Sequence, residues 1–186
     1  MINPEILREY DIRGIYEKSL TLKDIIEIGE KLSKIIHSKK SNNIIIGHDG
    51  RNSSLKIKNS LIKTFLKFGI DVVDISLIPT PISYFANKTY NIPNVIMITG
   101  SHNPKDYNGL KIIIDNKPFF SKNIKSLNDI DSSNLNYPTG ILSFKNPIYL
   151  FPNSRLITSS LFLARVITKV KVGAVPLYHL KDITVA

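Results

Sequence analysis

The sequence predicts an α/β fold: a mixed, largely parallel sheet flanked by helices, with an irregular C-terminal tail. Short runs of β-branched residues alternate with segments of helical periodicity over residues 21–115, an order typical of parallel sheets with helical crossovers. Polar loops follow two of the apolar runs. The alternation then weakens, and no acidic residue lies between Ser132 and Lys181. We therefore expect one domain over residues 1–133 and a divergent or truncated, poorly defined tail over residues 134–186.

Length and composition are those of one globular domain. The chain has 186 residues, of which 42% are hydrophobic and 22% are charged, so a core can be buried. The lack of cysteine excludes disulfides and cysteine-ligated zinc. No apolar run approaches the roughly 20 residues that span a bilayer, and the N-terminus lacks the basic start of a signal peptide. We expect a cytoplasmic protein that does not associate with membranes.

The net charge of +10 comes mainly from lysine, with 20 lysines against five arginines. Proteins that read nucleic-acid sequence rely on the arginine fork for bases and phosphates. A lysine surplus beside abundant isoleucine and asparagine indicates compositional bias, and positive potential also favours small phosphorylated substrates. We expect no nucleic-acid binding, and salt-sensitive DNA binding would instead favour the alternative of a nucleic-acid-associated protein.

Helical periodicity and a cap predict the first helix over residues 21–38. Thr21 suits the N-cap, and Asp24 suits the first turn, where the helix dipole favours an anion. Apolar residues recur at helical spacing at Ile25, Ile28, Leu32, Ile35 and Ile36. The apolar run Ile44–Ile46, bounded by asparagine and glycine, is typical of a buried strand.

The same patterns predict the remaining elements. A second helix over residues 53–68 ends before Gly69. Its apolar face is predicted to consist of Leu55, Leu61, Ile62, Phe65 and Leu66. Strands follow at residues 70–76, 94–99 and 111–115, and short helices at residues 82–88 and 121–131. Residues 134–152 are typical of loops or edge strands, and residues 156–170 suit an apolar helix of about four turns.

Two polar loops, residues 47–54 and 100–109, follow predicted strands. Ligands of parallel α/β sheets bind beyond the carboxyl ends of the strands, so both loops are candidate sites. In the second loop, Ser101 leaves a buried strand directly into a turn that contains turn dipeptides such as Asn108–Gly109. Such a turn presents a hydroxyl and backbone N–H groups, which suit a covalently held phosphate, and Lys111 can reach it from the far side.

Other interpretations stay open on these residues alone. A serine in this position is also typical of a plain polar turn. A hydrolase nucleophile is disfavoured, because no Gly-x-Ser-x-Gly elbow surrounds Ser101 and His102 is too near in sequence to take its proton. The run Arg8–Gly14 offers an arginine fork for phosphate but is also typical of a solvated edge strand, and Asp49–Arg51 is also typical of a turn.

Four motifs nevertheless occur in one order along the chain. They are Arg-Glu-Tyr-Asp-Ile-Arg-Gly at residues 8–14, Gly-His-Asp-Gly-Arg at 47–51, Pro-Thr-Pro at 79–81 and Ile-Thr-Gly-Ser-His-Asn-Pro-Lys-Asp-Tyr-Asn-Gly-Leu-Lys at 98–111. In this order the chain resembles the α-D-phosphohexomutase family, particularly its bacterial phosphomannomutase/phosphoglucomutase branch. The resemblance covers about residues 6–115 and is most specific over residues 99–111. It implies the fold of that family's first domain.

The resemblance implies catalytic roles for three residues. Ser101 matches the family's phosphoserine, whose phosphate occupies one position on a Mg²⁺ ion. Lys111 matches a lysine near that phosphate and is the candidate proton-transfer group. His102 matches a neighbour of the reacting phosphate.

The resemblance also implies that four residues bind substrate or phosphate. Tyr10 and Arg13 match active-site positions close to the phosphoserine. Asn103 matches a neighbour of the reacting phosphate. Arg51 is grouped with them and is further expected to support the serine loop.

The implied reaction is an intramolecular phosphotransfer of carbohydrate metabolism. The phosphoserine gives its phosphoryl group to a hexose 1- or 6-phosphate, the hexose 1,6-bisphosphate turns over within the site, and the other phosphate returns to the serine. The Mg²⁺ ion offsets charge on the transferring group. The expected partners are therefore hexose phosphates and hexose 1,6-bisphosphate.

Three motifs of the family's second half are absent from the chain. They are the Asp-Gly-Asp-Gly-Asp-Arg run that holds the metal, the Gly-Glu-x-Ser-Gly loop that selects the sugar, and an Arg-x-Ser-Asn-Thr phosphate site. We therefore expect a truncated relative with an incomplete magnesium site and impaired activity alone. The alternatives are half of a split enzyme, completed by a separately encoded remainder, and a non-catalytic phosphosugar-binding or interaction fragment.

Overall fold

The computed structural model describes residues 1–131 and 137–145, which form one mixed sheet with helices on both faces. In chain order the elements are β1 (Ile12–Ile15), α1 (Leu22–Ser38), β2 (Asn43–His48), α2 (Ser54–Lys67), β3 (Asp71–Leu77), α3 (Thr80–Thr89), β4 (Val95–Ile98), β5 (Tyr107–Ile114), β6 (Lys117–Pro118), α4 (Lys122–Lys125) and β7 (Leu142–Phe144). Two 3-10 helices span Pro4–Ile6 and Ser126–Asp129. The predicted α/β fold is confirmed.

The sheet has a parallel part and an antiparallel part. Its order is β1-β5-β4-β2-β3-β7, with β6 paired to β5. Strands β4, β2, β3 and β7 pair in parallel, whereas β1, β4 and β6 all run antiparallel to β5. Residues 99–106, which join β4 to β5, contain no helix, and a short connection of this kind returns the chain antiparallel. The parallel part is therefore confined to four strands.

Helix α1 begins where the predicted cap places it. The Thr21 hydroxyl accepts a hydrogen bond from the Asp24 N–H, and the Asp24 carboxylate accepts one from the Thr21 N–H. This reciprocal pair is a capping box, which satisfies two backbone donors that the first turn leaves free. The backbone N–H of Asn3 also donates to the same carboxylate, at 3.0 Å, so the cap anchors the N-terminal segment.

The predicted apolar face of α2 is wrong at one position. Leu55 is 52% exposed, whereas Ile57 is fully buried. Ile57, Leu61 and Phe65 recur every four residues along the face that packs on the sheet. Leu55 lies two residues from Ile57, which turns its side chain to the opposite side of the helix.

Two apolar clusters fill the two faces of the sheet. Ile44 and Ile46 of β2 belong to the larger cluster, under α1 and α2, and Ile45 belongs to the smaller one, under α3. Successive strand residues point to opposite faces, which explains why one short apolar run serves both clusters. The continuous isoleucine run therefore correctly predicted a buried strand, and the strand is buried on both faces.

The remaining elements modify the predicted boundaries. Strand β5 begins at Tyr107, so the prediction of a turn at Asn108–Gly109 is wrong, because both residues lie inside a strand. The predicted helix over residues 121–131 is present as α4 followed by a 3-10 turn. Strand β7 extends the parallel sheet with part of the predicted tail.

The predicted helix at residues 156–170 lies outside the described residues. Within residues 1–131 and 137–145, no helix is long and apolar enough to cross a membrane.

Candidate functional site

Ser101 occupies a strained, exposed turn directly after β4. Its φ angle is +54°, in the left-handed region, which costs an L residue about 1–2 kcal/mol. Its N–H donates to the Thr99 hydroxyl at 2.9 Å, and the Asn103 N–H closes the turn on the Gly100 carbonyl at 3.1 Å. The Ser101 hydroxyl lies 3.4 Å from Nδ1 of His102 and is open to solvent. Seven other described non-glycine residues also have a positive φ angle, so it is the exposed hydroxyl in a polar loop, rather than the φ angle alone, that marks Ser101.

The guanidinium of Arg51 holds the whole serine loop. Its two terminal nitrogens donate to the carbonyl oxygens of Pro104, Tyr107, Ser101 and Asn103, and its Nε donates to Asp49 at 3.2 Å. A guanidinium has five N–H bonds, and these contacts use all of them. In this structure Arg51 therefore supports the loop with all of its N–H groups.

Gly100 makes room for that guanidinium. A Cβ atom at this position would lie 2.4 Å from Cζ of Arg51, a distance that no real contact reaches. The Gly100 N–H also faces Asp49, donating to Oδ2 at 3.3 Å. Glycine is thus required here for close approach of a side chain to the backbone, not for its own φ angle.

Asp49 and Asn108 tie the loop to the N-terminus of α2. Asp49 Oδ1 accepts hydrogen bonds from the Arg51 N–H at 3.1 Å and from the Ser54 hydroxyl at 2.6 Å. Asn108 is fully buried, and its amide group donates to the hydroxyls of Ser53 and Ser54. Because these buried polar groups are all paired, the network is rigid and fixes the loop relative to β2, α2 and β5.

A second group of charged side chains, Asp11, Arg13 and Lys111, lies near the α3 face of the sheet, beside strands β1 and β5. We call it the strand cluster. Leu110 and Ile112 belong to the opposite apolar cluster, so Lys111 between them points to the α3 face. Arg13 pairs with Gly109, two residues from Lys111. The carboxylate of Asp11 contacts the guanidinium of Arg13 and lies 3.6 Å from Nζ of Lys111.

Gly109 connects the serine loop with the strand cluster. Its carbonyl oxygen accepts a hydrogen bond from the Thr99 N–H, at 3.0 Å, at the base of the serine loop. Its Cα faces β1 so closely that a Cβ atom would lie 2.1 Å from the carbonyl oxygen of Ile12. The serine loop and the strand that carries Arg13 therefore meet at one residue of β5.

Tyr10 lies in an exposed turn at the start of β1. Its side chain is 78% exposed, and the turn is closed by the Arg8 N–H on the Asp11 carbonyl. Its neighbour Glu9 is held by the segment around α4: the Ser121 N–H donates to the Glu9 carbonyl, and Lys125 pairs with the carboxylate at 3.1 Å. A hydrogen bond involving Ser121, together with the nearby charge of Lys125, lowers the pKa of Glu9.

The structure thus places the seven predicted site residues in three groups. Ser101, His102, Asn103 and Arg51 share the serine loop, Arg13 and Lys111 share the strand face, and Tyr10 lies in the turn that precedes β1. Their catalytic and binding roles stay predictions. Sequence reasoning gave no role to three further residues that organise the groups: Asp11, Asp49 and Asn108. Asp11 and Asp49 each lie two residues before an arginine, which was the usable signal, whereas Asn108 resembled a turn residue.

The described residues contain no set of three or more histidine or acidic side chains placed to hold a metal ion. A Mg²⁺ ion prefers about six oxygen ligands and keeps several waters. The residues present, with Ser101 as the one predicted ligand, therefore do not make up a magnesium site.

Comparison with a family model and with known sequences finds relatives of one family. Residues 4–133 match the family described as phosphoglucomutase/phosphomannomutase, alpha/beta/alpha domain I. A phosphomannomutase/phosphoglucomutase of Pseudomonas syringae pv. tomato is 35% identical over 142 residues, covering 76% of this chain and 30% of the relative. A probable phosphoglucosamine mutase of Pyrococcus horikoshii is 41% identical over 101 residues, covering 54% and 22%.

Solved structures agree with the sequence relatives. A phosphoglucomutase/phosphomannomutase family protein of Burkholderia thailandensis superposes with a TM-score of 0.72 at 25% identity, covering 90% of this chain and 36% of that one. The chain thus spans about a third or less of the length of the relatives it matches. Because the family match covers more than half of its residues, the chain belongs to the phosphoglucomutase/phosphomannomutase family, with the match falling on that family's alpha/beta/alpha domain I.

Proposed function

We propose that this chain carries the phosphoserine domain of a phosphohexomutase, which interconverts hexose 1-phosphate and hexose 6-phosphate. The observation that carries the proposal is the Ser101 turn: an exposed hydroxyl, in a strained left-handed conformation, on a loop that Arg51 holds by four carbonyl groups. Positioning and charge neutralisation supply most of the catalysis in phosphoryl transfer, so a rigid loop suits a residue that repeatedly gains and loses a phosphate.

The proposed transfer runs in two directions at Ser101. In one direction the hydroxyl oxygen forms a bond to phosphorus of hexose 1,6-bisphosphate, the phosphorus–oxygen bond to the hexose breaks, and a hexose monophosphate leaves. In the other direction a free hydroxyl oxygen of the hexose monophosphate forms a bond to phosphorus, the bond between phosphorus and the serine oxygen breaks, and the hydroxyl proton passes to Ser101. Lys111 is the proposed group that moves the serine proton toward the oxygen of the leaving hexose monophosphate, and His102 and Asn103 border the transferring phosphate. Arg13 and Tyr10 are proposed to bind the sugar phosphate.

A Mg²⁺ ion is part of the proposal for the whole enzyme, not for these residues alone. The phosphate on Ser101 would offer it one oxygen ligand, and the described residues supply no further ligand set. The remaining ligands, like the groups that select the sugar, are proposed to come from the rest of a mutase, in the same or a separate chain. The part proposed for the described residues is to present the serine oxygen and to orient its phosphate.

Intact-mass spectrometry tests the proposal on the chain as it exists. After incubation with glucose 1,6-bisphosphate, we expect the chain to gain the mass of one phosphoryl group, whereas Ser101→Ala gains none. The Lys105→Ala variant, which removes an exposed loop cation that carries no proposed role, should gain the group as the wild type does. A wild-type chain that gains no mass over a range of bisphosphate concentrations, both alone and with an added mutase remainder, would contradict the proposal.

A non-catalytic fragment that binds a phosphosugar is the second candidate, because the described residues supply no ligand set for a metal ion. Calorimetric titration with glucose 1,6-bisphosphate separates the two candidates. Binding without any mass gain supports a phosphosugar-binding fragment. Mass gain that requires an added mutase remainder supports half of a split enzyme.

A further inference from the structure

Asp11 is a buried carboxylate that contacts both cations of the strand cluster. Its side chain is 9% exposed, against 12% for Arg13 and 30% for Lys111. The same oxygen, Oδ2, contacts the Arg13 guanidinium and lies 3.6 Å from Nζ of Lys111. The sequence motifs predict roles for Arg13 and Lys111 but none for Asp11.

The two contacts differ in kind. The Arg13 contact is a charge-assisted hydrogen bond between two nearly buried groups, which fixes the guanidinium. The Lys111 contact is longer than a hydrogen bond, and the ammonium is more exposed, so its three N–H donors remain able to turn toward another anion. One carboxylate thus holds one cation firmly and keeps the other nearby.

Removing this negative charge has consequences beyond two lost contacts. Arg13 and Lys111 lie on the same face of neighbouring strands, so without Asp11 they repel each other. Arg13 would also become a buried charge without its partner, which is among the costliest changes in a protein interior. The displacement that follows would move both the group proposed to bind the sugar phosphate, Arg13, and the group proposed to move the serine proton, Lys111.

We propose that Asp11 is a positioning residue for the phosphoryl transfer at Ser101, acting through Arg13 and Lys111. It does not touch the phosphate, because two anions would repel. It sets the place of Arg13 and keeps Lys111 close to a negative charge but free to turn. This inference rests on the proposed function of Ser101.

The test compares Asp11→Asn with Asp115→Asn, an exposed carboxylate at the far end of β5. The rate at which glucose 1,6-bisphosphate phosphorylates Ser101 is followed by intact mass. We expect the rate constant at saturating bisphosphate to fall by about tenfold to a hundredfold in Asp11→Asn, the range that a small misplacement of reacting groups produces, and to stay at the wild-type value in Asp115→Asn.

The shape of the time course separates positioning from a merely structural role. A structural role lowers the fraction of molecules that are phosphorylated but leaves the rate constant of the folded molecules unchanged. A wild-type rate constant in folded Asp11→Asn would therefore overturn the proposal. If Asp11→Asn does not fold, Asp11→Glu keeps the charge and displaces it by one methylene. A reduced rate constant in this variant supports positioning, and a wild-type value overturns it.

A failure of the proposed function gives a different result. In that case the wild-type chain itself gains no phosphoryl group, and the probe becomes inorganic phosphate, added to chain with isotope-labelled lysine. We expect phosphate to shift the NMR signal of Lys111, assigned with Lys111→Arg, and expect a shift of different size in Asp11→Asn, because the ammonium is no longer held beside the carboxylate. Equal shifts in both chains would overturn the role of Asp11.

Discussion

Arg51 illustrates how one side chain shapes the loop that carries Ser101. All five of its N–H bonds are directed at protein acceptors, three of them loop carbonyls and one the carbonyl of Tyr107 at the start of β5, and Gly100 leaves room for its planar group. The strain of the Ser101 backbone is sustained by these contacts. Lysine offers three donors on a flexible stem and cannot reproduce the fork, so arginine is required here for geometry as much as for charge.

Two substitutions test this arrangement from opposite sides. Arg51→Lys removes the fork, and Gly100→Ala places a Cβ atom where the guanidinium lies. We expect each to speed amide hydrogen exchange over residues 100–107 and to slow Ser101 phosphorylation by about tenfold. Since both act on one contact, the double variant should cost much less than the sum of the two single effects.

The control is Lys105→Ala, in the same loop, which should leave exchange over residues 100–107 unchanged. Additive effects in the double variant, or wild-type exchange in Arg51→Lys, would show that the guanidinium does not hold the loop.

Single residues also mark the limit of sequence reasoning. The sequence indicates the supporting position of Arg51 but not its five partners, because four of them are backbone carbonyls that any residue type provides. Asn108 resembles a turn residue because Asn-Gly is a turn dipeptide. Its burial follows from strand β5 starting at Tyr107, a boundary that depends on pairing with β1 and β4, which are distant in sequence.

Among the elements, helix α1 is predicted most accurately because its signals are local. Apolar spacing and the Thr21–Asp24 cap lie within one segment and need no tertiary information. The antiparallel direction of β5 was not predicted, because no residue pattern within the strand indicates the direction of its neighbours. The lack of a helix in residues 99–106 is the usable signal for an antiparallel return.

The cap of α1 also predicts a pH dependence. Burial raises the pKa of Asp24, but hydrogen bonds from Thr21 and from the Asn3 N–H outweigh it, so the pKa lies below its ordinary value. A lowered folded-state pKa adds stability that is present above the unfolded value, about 3.9, and is lost as the pH falls through the folded value.

Urea unfolding between pH 6 and pH 3 checks this dependence. We expect Asp24→Asn to lose about 1 kcal/mol in the free energy of unfolding at pH 6, the typical effect of a lost cap. The difference from wild type should shrink as the pH falls below 4. A difference that stays constant down to pH 3 would show that the Asp24 carboxylate contributes no pH-dependent stability.

For the whole molecule, the ordered motifs predict the family, and the family match over residues 4–133 confirms it. What the motifs could not predict is the behaviour of a chain that spans at most about a third of its relatives. Those relatives are named phosphomannomutase/phosphoglucomutase and probable phosphoglucosamine mutase. The cytoplasmic location, the lack of nucleic-acid binding, the bound Mg²⁺ and the boundary at residue 133 stay predictions.

One measurement decides whether the serine turn has the function proposed for it. The chain is incubated with glucose 1,6-bisphosphate and digested, and tandem mass spectrometry locates the added phosphoryl group within the peptide that contains residues 99–111. We predict that the group lies on the hydroxyl of Ser101 and disappears when glucose 1-phosphate is then added. A phosphoryl group found on any other residue, or none in the chain even with an added mutase remainder, would contradict it.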